Sequence, residues 1–398
     1  MSPESVGSTA VGTSSVSARL MSIDALRGFD MFWIMGADSL GQALAKLVGG
    51  AGLMHHLAEQ LDHVPWKGFR FYDLIFPLFV FVAGVSSVFS LTKAMESGGP
   101  DAALVRVLKR TLLLYVLGLF YYGGFAGKLL DSGEFTGKIS DIRLMGVLQR
   151  IAIASGAAGV LFIYCRPRTL FFWLMAILGG YWALMAFVPV PGVGASSFIE
   201  GKIVEGKNLA NWIDAHYLWG RLWDGDHDPE GLLSNLPAIG TCLLGVLAGI
   251  WLKSEKAKPE RKAAMLAVAG VSCLFLGFVW GLQFPIIKKL WTSSYVLVAG
   301  GWSLLLLAGF YQLVDVWGWR RWCRPFVWVG MNAITVYLAS NLVDFDKLAE
   351  RFAGGDIKRI LDRTVANGFG GLVLSLTSIL LGMLLARALY QRKVFIRL

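Results

Sequence analysis

The sequence predicts an all-α, polytopic integral membrane protein, a helical bundle of about ten transmembrane helices. Two observations predict it. Hydrophobic residues make up 56% of the 398 positions and charged residues only 16%, against about 25% charged in a soluble domain, and the mean hydropathy is +0.59. The apolar residues also gather into runs that repeatedly reach the ~20 residues a helix needs to cross a bilayer. Such a surface calls for lipid as its solvent, where a helix satisfies its own backbone. The net charge of +10 does not signal nucleic acid, because the basic residues lie in short clusters between apolar runs rather than on one polar face.

The expected spans are approximately 24–48, 71–92, 107–124, 145–164, 170–189, 232–252, 263–283, 293–315, 325–343 and 368–390. Small residues inside them, such as Gly245 and Gly249, allow close helix packing. Arg106 to Arg110, Arg166 with Arg168, Lys253 to Lys262, Arg320, Arg321 and Arg324, and Arg392 with Lys393 fall in alternate connections. The positive-inside rule then puts both termini in the cytoplasm. The longest outer connection, about 190–231, carries Glu200, Glu205, Asp214, Asp224, Asp226, Asp228 and Glu230 against three basic residues. Residues 1–20, rich in Ser, Gly and Thr, read as a disordered tail, and 21–398 as a single domain. Cys165, Cys242, Cys273 and Cys323 form no CxxC pair. They read as small buried hydrophobes, with no disulfide and no metal expected.

Ionisable residues near or inside spans are the candidate functional groups, since each costs roughly 2.5–3.5 kcal/mol at a helix centre. Asp24 and Arg27 share a helix face and can form a structural ion pair. Asp38 lies fourteen residues beyond Asp24, ~21 Å along a helix, toward the outer side. His63, Trp66, Tyr72 and Asp73 lead into span 2. Trp66 and Tyr72 suit interfacial anchoring, and Asp73 suits the helix dipole. Yet His63 falls on the same side as Asp38, and a histidine beside a carboxylate is a general-base arrangement. Asp228, Pro229 and Glu230 precede span 6, where Asp as N-cap and Pro in the first turn make a helix start. Alternatively, the acidic pair orders the outer site or binds an amine. Gln149 and Arg150 open span 4, and Arg150 sits deep enough to need a buried partner or an anionic ligand. Lys288 and Trp291 precede span 8, and Asn332 belongs to a polar seam in span 9 that is either helix–helix glue or a ligand contact.

Seven stretches in order resemble the heparan-α-glucosaminide N-acetyltransferase family of transmembrane acyltransferases: Ser22–Gly28, His63–Gly68, Asp73–Pro77, Gly146–Arg150, Asp228–Gly231, Leu290–Tyr295 and Gly330–Asn332. The resemblance implies a bacterial-type, multi-pass inner-membrane enzyme. It would move an acetyl group from cytoplasmic acetyl-CoA to an amino sugar or glycan at the outer face, without a metal. His63 matches the family's catalytic histidine. Asp38 stands where the family has an asparagine, and Ile287 replaces the asparagine before Lys288. On this reading His63, Asp38 and Asp73 are the catalytic candidates. Arg150, Lys288, Gln149 and Asn332 are the acetyl-CoA candidates. Asp228, Glu230, Trp66 and Trp291 are the acceptor contacts. The lipid bilayer is the surrounding partner, and a homodimer is compatible. An amino-sugar permease, whose intramembrane charges would serve proton coupling, is the alternative, and a structural subunit a third reading.

Overall fold

The computed structural model describes residues 20–48, 53–122, 142–192, 198–199 and 202–395. The expected N-terminal tail therefore lies outside the described residues, except Leu20, as does Glu200. The chain runs through α1 (Met21–Ile34), α2 (Ala37–Val48) and α3 (Leu53–Gln60). After a 3₁₀ turn over Phe71–Leu74 come α4 (Ile75–Tyr122), α5 (Val147–Tyr164) and α6 (Pro167–Phe187). The connection after α6 holds a two-residue antiparallel pair, Phe198–Ile199 with Lys202–Ile203, and α7 (Leu209–Tyr217). Then follow α8 (Asn235–Lys253), α9 (Pro259–Gly281), α10 (Ser293–Phe310), α11 (Arg324–Gly330), α12 (Ala333–Val343), α13 (Phe345–Ala353), α14 (Asp356–Thr364) and α15 (Phe369–Gln391).

Among the described residues seven helical segments are long and apolar enough to cross a membrane. The first, from Phe71 to Tyr121, is too long for one crossing of a ~30 Å core, and it does not make one. At Gly99, with φ 74 and Pro100 next, the helix breaks. Arg106 then reaches the carbonyl of Ser90, and Arg110 the hydroxyl of Ser87. These pairings, with the cluster of Leu91, Ala94, Ala103 and Val107, define an antiparallel helical hairpin. Two expected spans are interrupted: 24–48 breaks between α1 and α2 after Met35, and 325–343 breaks between α11 and α12 at Met331 and Asn332. The N-terminus of α1 is capped from a distance, where the Asp315 carboxylate accepts from the backbone N–H of Met21 and of Ser22, both at 3.2 Å.

Close approach of helices follows the small residues. A Cβ on Gly84 would collide with the carbonyl oxygen of Cys242, and one on Gly245 with that of Phe81, so α4 and α8 touch backbone to backbone. Gly28 and Gly330 do the same for α1 and α11, since a Cβ on either would collide with the other helix's main chain. Without a hydrophobic driving force in lipid, such van der Waals contact is what holds a bundle together. The outward faces of α6 and α9 expose Phe171, Phe172, Val271 and Phe275, as suits hydrocarbon.

Replacing Gly84 or Gly245 with Val forces two backbones apart, which costs at least the roughly 1–3 kcal/mol of ordinary overpacking. Thermal unfolding in detergent should show a clear drop in Tm for either variant. Gly180→Val, where nothing lies within 4 Å of the added Cβ, should leave Tm within a degree or two of the parent.

Candidate active site

Three segments converge at one end of the bundle. The backbone N–H of Gly68 donates to the carbonyl of Ile286 at 2.9 Å, and Lys67 bridges to Ile287 as an isolated antiparallel pair. The Trp66 indole N–H donates to the Ile203 carbonyl at 2.9 Å. The loop carrying His63 is thereby tied to the segment carrying Lys288 and to the connection between α6 and α7. Gly68 adopts φ +134, a conformation side chains disfavour, so the glycine of the His-x-x-Trp-x-Gly stretch serves this turn.

Asp73 organises the result. Its carboxylate is fully buried. Oδ2 accepts from the backbone N–H of Arg70 at 3.1 Å and of Val64 at 3.3 Å, and Oδ1 lies 2.9 Å from His63 Nδ1. Lys288 Nζ stands 3.5 Å from the same Oδ1, and 2.9 and 3.2 Å from Nδ1 and Nε2 of His63. Nδ1 cannot both donate to Asp73 and accept from Lys288. A carboxylate facing a ring lone pair would be repelled, so the assignment with Nδ1–H donating to Asp73 is the consistent one. Nε2 then carries the lone pair. The ring stacks on Tyr72, centroids 4.5 Å apart and planes 16° from parallel. Tyr295 donates its hydroxyl to the Asp73 carbonyl at 2.7 Å, fixing the turn from beneath.

The imidazole is half exposed and, with Lys288 and Glu230, lines a cavity of about 230 Å³. Apolar side chains, among them Phe79, Ile151 and Ile334, line the rest. That is smaller than the ~300–1,000 Å³ of most small-molecule sites and fits a slender chain better than a bulky ring.

The other candidates are placed as follows. Asp38 opens α2, and its side chain lies outside the described residues. Asp228 and Glu230 are joined to Arg143, a residue the sequence reading left without a role. Arg143 grips Asp228 through two bonds, Nε to Oδ2 at 2.8 Å and Nη2 to Oδ1 at 2.7 Å, and meets Glu230 Oε2 at 2.5 Å. Asp228 caps its own turn, accepting from the backbone N–H of Glu230 and of Trp223, whereas α8 begins only at Asn235. The Asp-Pro pair therefore shapes the loop and not the helix start. Burial pushes the Glu230 carboxyl above its ordinary value, against the pull of Arg150 and Arg143.

Arg150 is buried at the same end, donating to the Pro229 carbonyl at 3.0 Å and to the Ser234 hydroxyl, with its guanidinium 4.6 Å from the centre of the Trp291 ring. Its Nε and Nη1 have no hydrogen-bond partner among the described residues. Trp291 is itself buried, at a φ of 51 that non-glycine residues rarely adopt, and its indole donates to Thr241 at 3.0 Å. The Leu290–Tyr295 stretch thus carries the segment that aims Lys288. Gln149 and Asn332 are buried side-chain amides whose nitrogen and oxygen both lack hydrogen-bond partners among the described residues. Neither lines the cavity itself, though their chain neighbours Leu148 and Ile334 do, and the Gln149 amide packs against Gly118.

Fold and site together define a polytopic helical membrane protein with a histidine–carboxylate pair whose histidine lines a largely apolar cavity. No family model matches the chain. It is similar to the heparan-alpha-glucosaminide N-acetyltransferase of Mus musculus, 28% identical over 334 residues, which is 71% of this chain and 49% of that protein. It is also similar to the enzyme of the same name from Homo sapiens, 26% identical over 386 residues, 83% of this chain and 54% of that protein. The chain spans about half the length of these curated relatives. The family resemblance carried by the seven motifs is thus supported across most of the chain.

Removing the Arg143 guanidinium strands two carboxylates in the interior. Arg143→Met should lower stability by about 3–5 kcal/mol, read as a fall in Tm, whereas Arg143→Lys should recover part of it. A second group, Asp214 in α7, gives a pH dependence. Asp214 accepts from the backbone N–H of Leu232 at 2.9 Å, and burial pushes its carboxyl from 3.8 up to about 6. The folded chain therefore holds this proton more tightly than the unfolded chain, and the contribution falls as pH rises from about 4 to 6. Relative to Asp214→Asn, the parent should lose on the order of 2–3 kcal/mol across that window, measured as the difference between the two pH–Tm curves.

Proposed function

We propose that this protein is a transmembrane acetyltransferase, moving an acetyl group from acetyl-CoA supplied on the cytoplasmic side to an amino sugar on the outer side, with His63 as the acid–base group. The observation that carries the reading is the His63–Asp73 hydrogen bond at the mouth of the cavity. Similarity to two proteins named as N-acetyltransferases supports the reaction class. On this reading the chain makes ten crossings with both termini in the cytoplasm, so that the end carrying His63 faces outward in a bacterial inner membrane.

In this mechanism Nε2 of His63 accepts a proton from the acceptor's amine as its nitrogen attacks the thioester carbonyl. Asp73 holds the tautomer and stabilises the imidazolium that forms. Lys288, at 3.2 Å from Nε2, offers a cation for the negative charge that develops on the carbonyl oxygen. When the tetrahedral intermediate collapses, the C–S bond breaks and His63 returns its proton to the sulfur, giving free CoA and the N-acetylated sugar. Gln149 and Asn332, with unspent amides, suit the two amide groups of a pantetheine arm. Arg150 and Lys288 lie at the acetyl end of such an arm. Glu230, in the cavity wall, offers the amine a counter-charge, and the acidic outer connection raises the local concentration of a cationic sugar.

Purified protein in detergent, given labelled acetyl-CoA and glucosamine, should release labelled product with no sealed compartment, which a permease could not do. His63→Ala should abolish transfer while elution and Tm stay as in the parent. Asp73→Asn, which keeps shape but not charge, should cut turnover roughly 10²–10⁴-fold. Turnover that survives in His63→Ala removes the proposed role.

A further inference from the structure

A second cluster lies in the outer connection, apart from His63. Glu205 precedes α7, and Asp224 and His227 lie in the loop between α7 and α8. One ligand atom from each of the three falls within 4.8 Å of the others. His227 is only 4% exposed. Its Nδ1 lies 2.6 Å from Asp226 Oδ1, and its Nε2 lies 3.5 Å from Asp224 Oδ2 and 3.6 Å from Glu205 Oε1. That Nε2 has no hydrogen-bond partner among the described residues. Lys289 Nζ reaches the same two carboxylates, at 2.6 Å from Glu205 and 2.9 Å from Asp224.

Lys289 meets the charge of the two carboxylates but leaves one buried atom unanswered. With Asp226 taking the Nδ1 proton, the Nε2 lone pair points at two carboxylate oxygens and has no hydrogen-bond donor among the described residues. Three acceptors thus converge on one point. A carboxylate that fixes the far nitrogen of a histidine is the usual outer support of a metal-binding imidazole. Separations of 3.5 and 3.6 Å are close to those between neighbouring ligands of a tetrahedral ion with bonds of ~2.0–2.2 Å. Lys289 already places a positive charge between two of the three groups, which shows that the site attracts a cation.

We propose that Glu205, Asp224 and His227 form a binding site for a divalent transition-metal ion of the Zn²⁺ class, with Lys289 as the side chain that the ion displaces. One imidazole and two carboxylates are the donors such an ion takes, whereas Ca²⁺ and Mg²⁺ prefer oxygen alone. The site is independent of the acetyl-transfer reading, and its test does not use activity. Isothermal titration of the full-length, chelator-treated protein in detergent with Zn²⁺ should show one saturable site per chain. Affinity should fall at least 10-fold in His227→Ala and in Glu205→Gln, the latter altering an exposed residue. It should rise at least 10-fold in Lys289→Met, where the competitor is gone. Absence of saturable Zn²⁺ binding in the parent, or unchanged affinity in both His227→Ala and Glu205→Gln, overturns the proposal.

Discussion

The end of the bundle that carries His63 depends on one buried carboxylate. Asp73 has no exposure to solvent, so its charge must be met entirely by the protein. Two backbone N–H groups, an imidazole and an ammonium meet it. They come from segments more than two hundred residues apart in sequence. Leaving any of them out would strand a charge, and satisfying all of them fixes where His63 and Lys288 stand. The ring that the proposed chemistry uses is therefore oriented by an electrostatic necessity, and the stack on Tyr72 only completes it.

The same logic recurs around it. Arg143 gathers Asp228 and Glu230, Arg150 ties the Pro229 carbonyl to Ser234, and the tryptophan and hydroxyls of Leu290–Tyr295 are spent on internal bonds. Much of what looks like a binding motif is thus the scaffold that holds Lys288 and the cavity mouth in place. Among the described residues, Gln149, Asn332, part of Arg150 and His227 Nε2 keep buried polar atoms without a hydrogen-bond partner, as do several groups elsewhere in the bundle, Asp30 among them. Buried polar groups are ordinarily satisfied, so these are the positions where a ligand has something to gain.

The helix contacts distribute a similar division of labour. Gly84 with Gly245 and Gly28 with Gly330 bring backbones together where no apolar solvent effect would. Two of these glycines lie in motif stretches, Ser22–Gly28 and Gly330–Asn332, so those motifs serve helix crossing as much as chemistry. Asn332 sits at the break between α11 and α12, where the chain leaves helical geometry beside the cavity.

Composition and run length determined the membrane class by themselves, because burying 56% apolar residues leaves no other solvent. The two arms of the hairpin at Gly99 were legible as two separate spans, whereas the pairing of Arg106 with Ser90 was not. His63 and Asp73 were legible as candidates because a charge beside a span is costly. Their hydrogen bond was not, since ten residues of loop could carry them to many places. Only the tertiary structure joined Lys288 to His63, Arg143 to the Asp228 pair, and Glu205 to Asp224, His227 and Lys289. Local sequence sets which groups will need partners, and the folded chain alone decides which distant group answers.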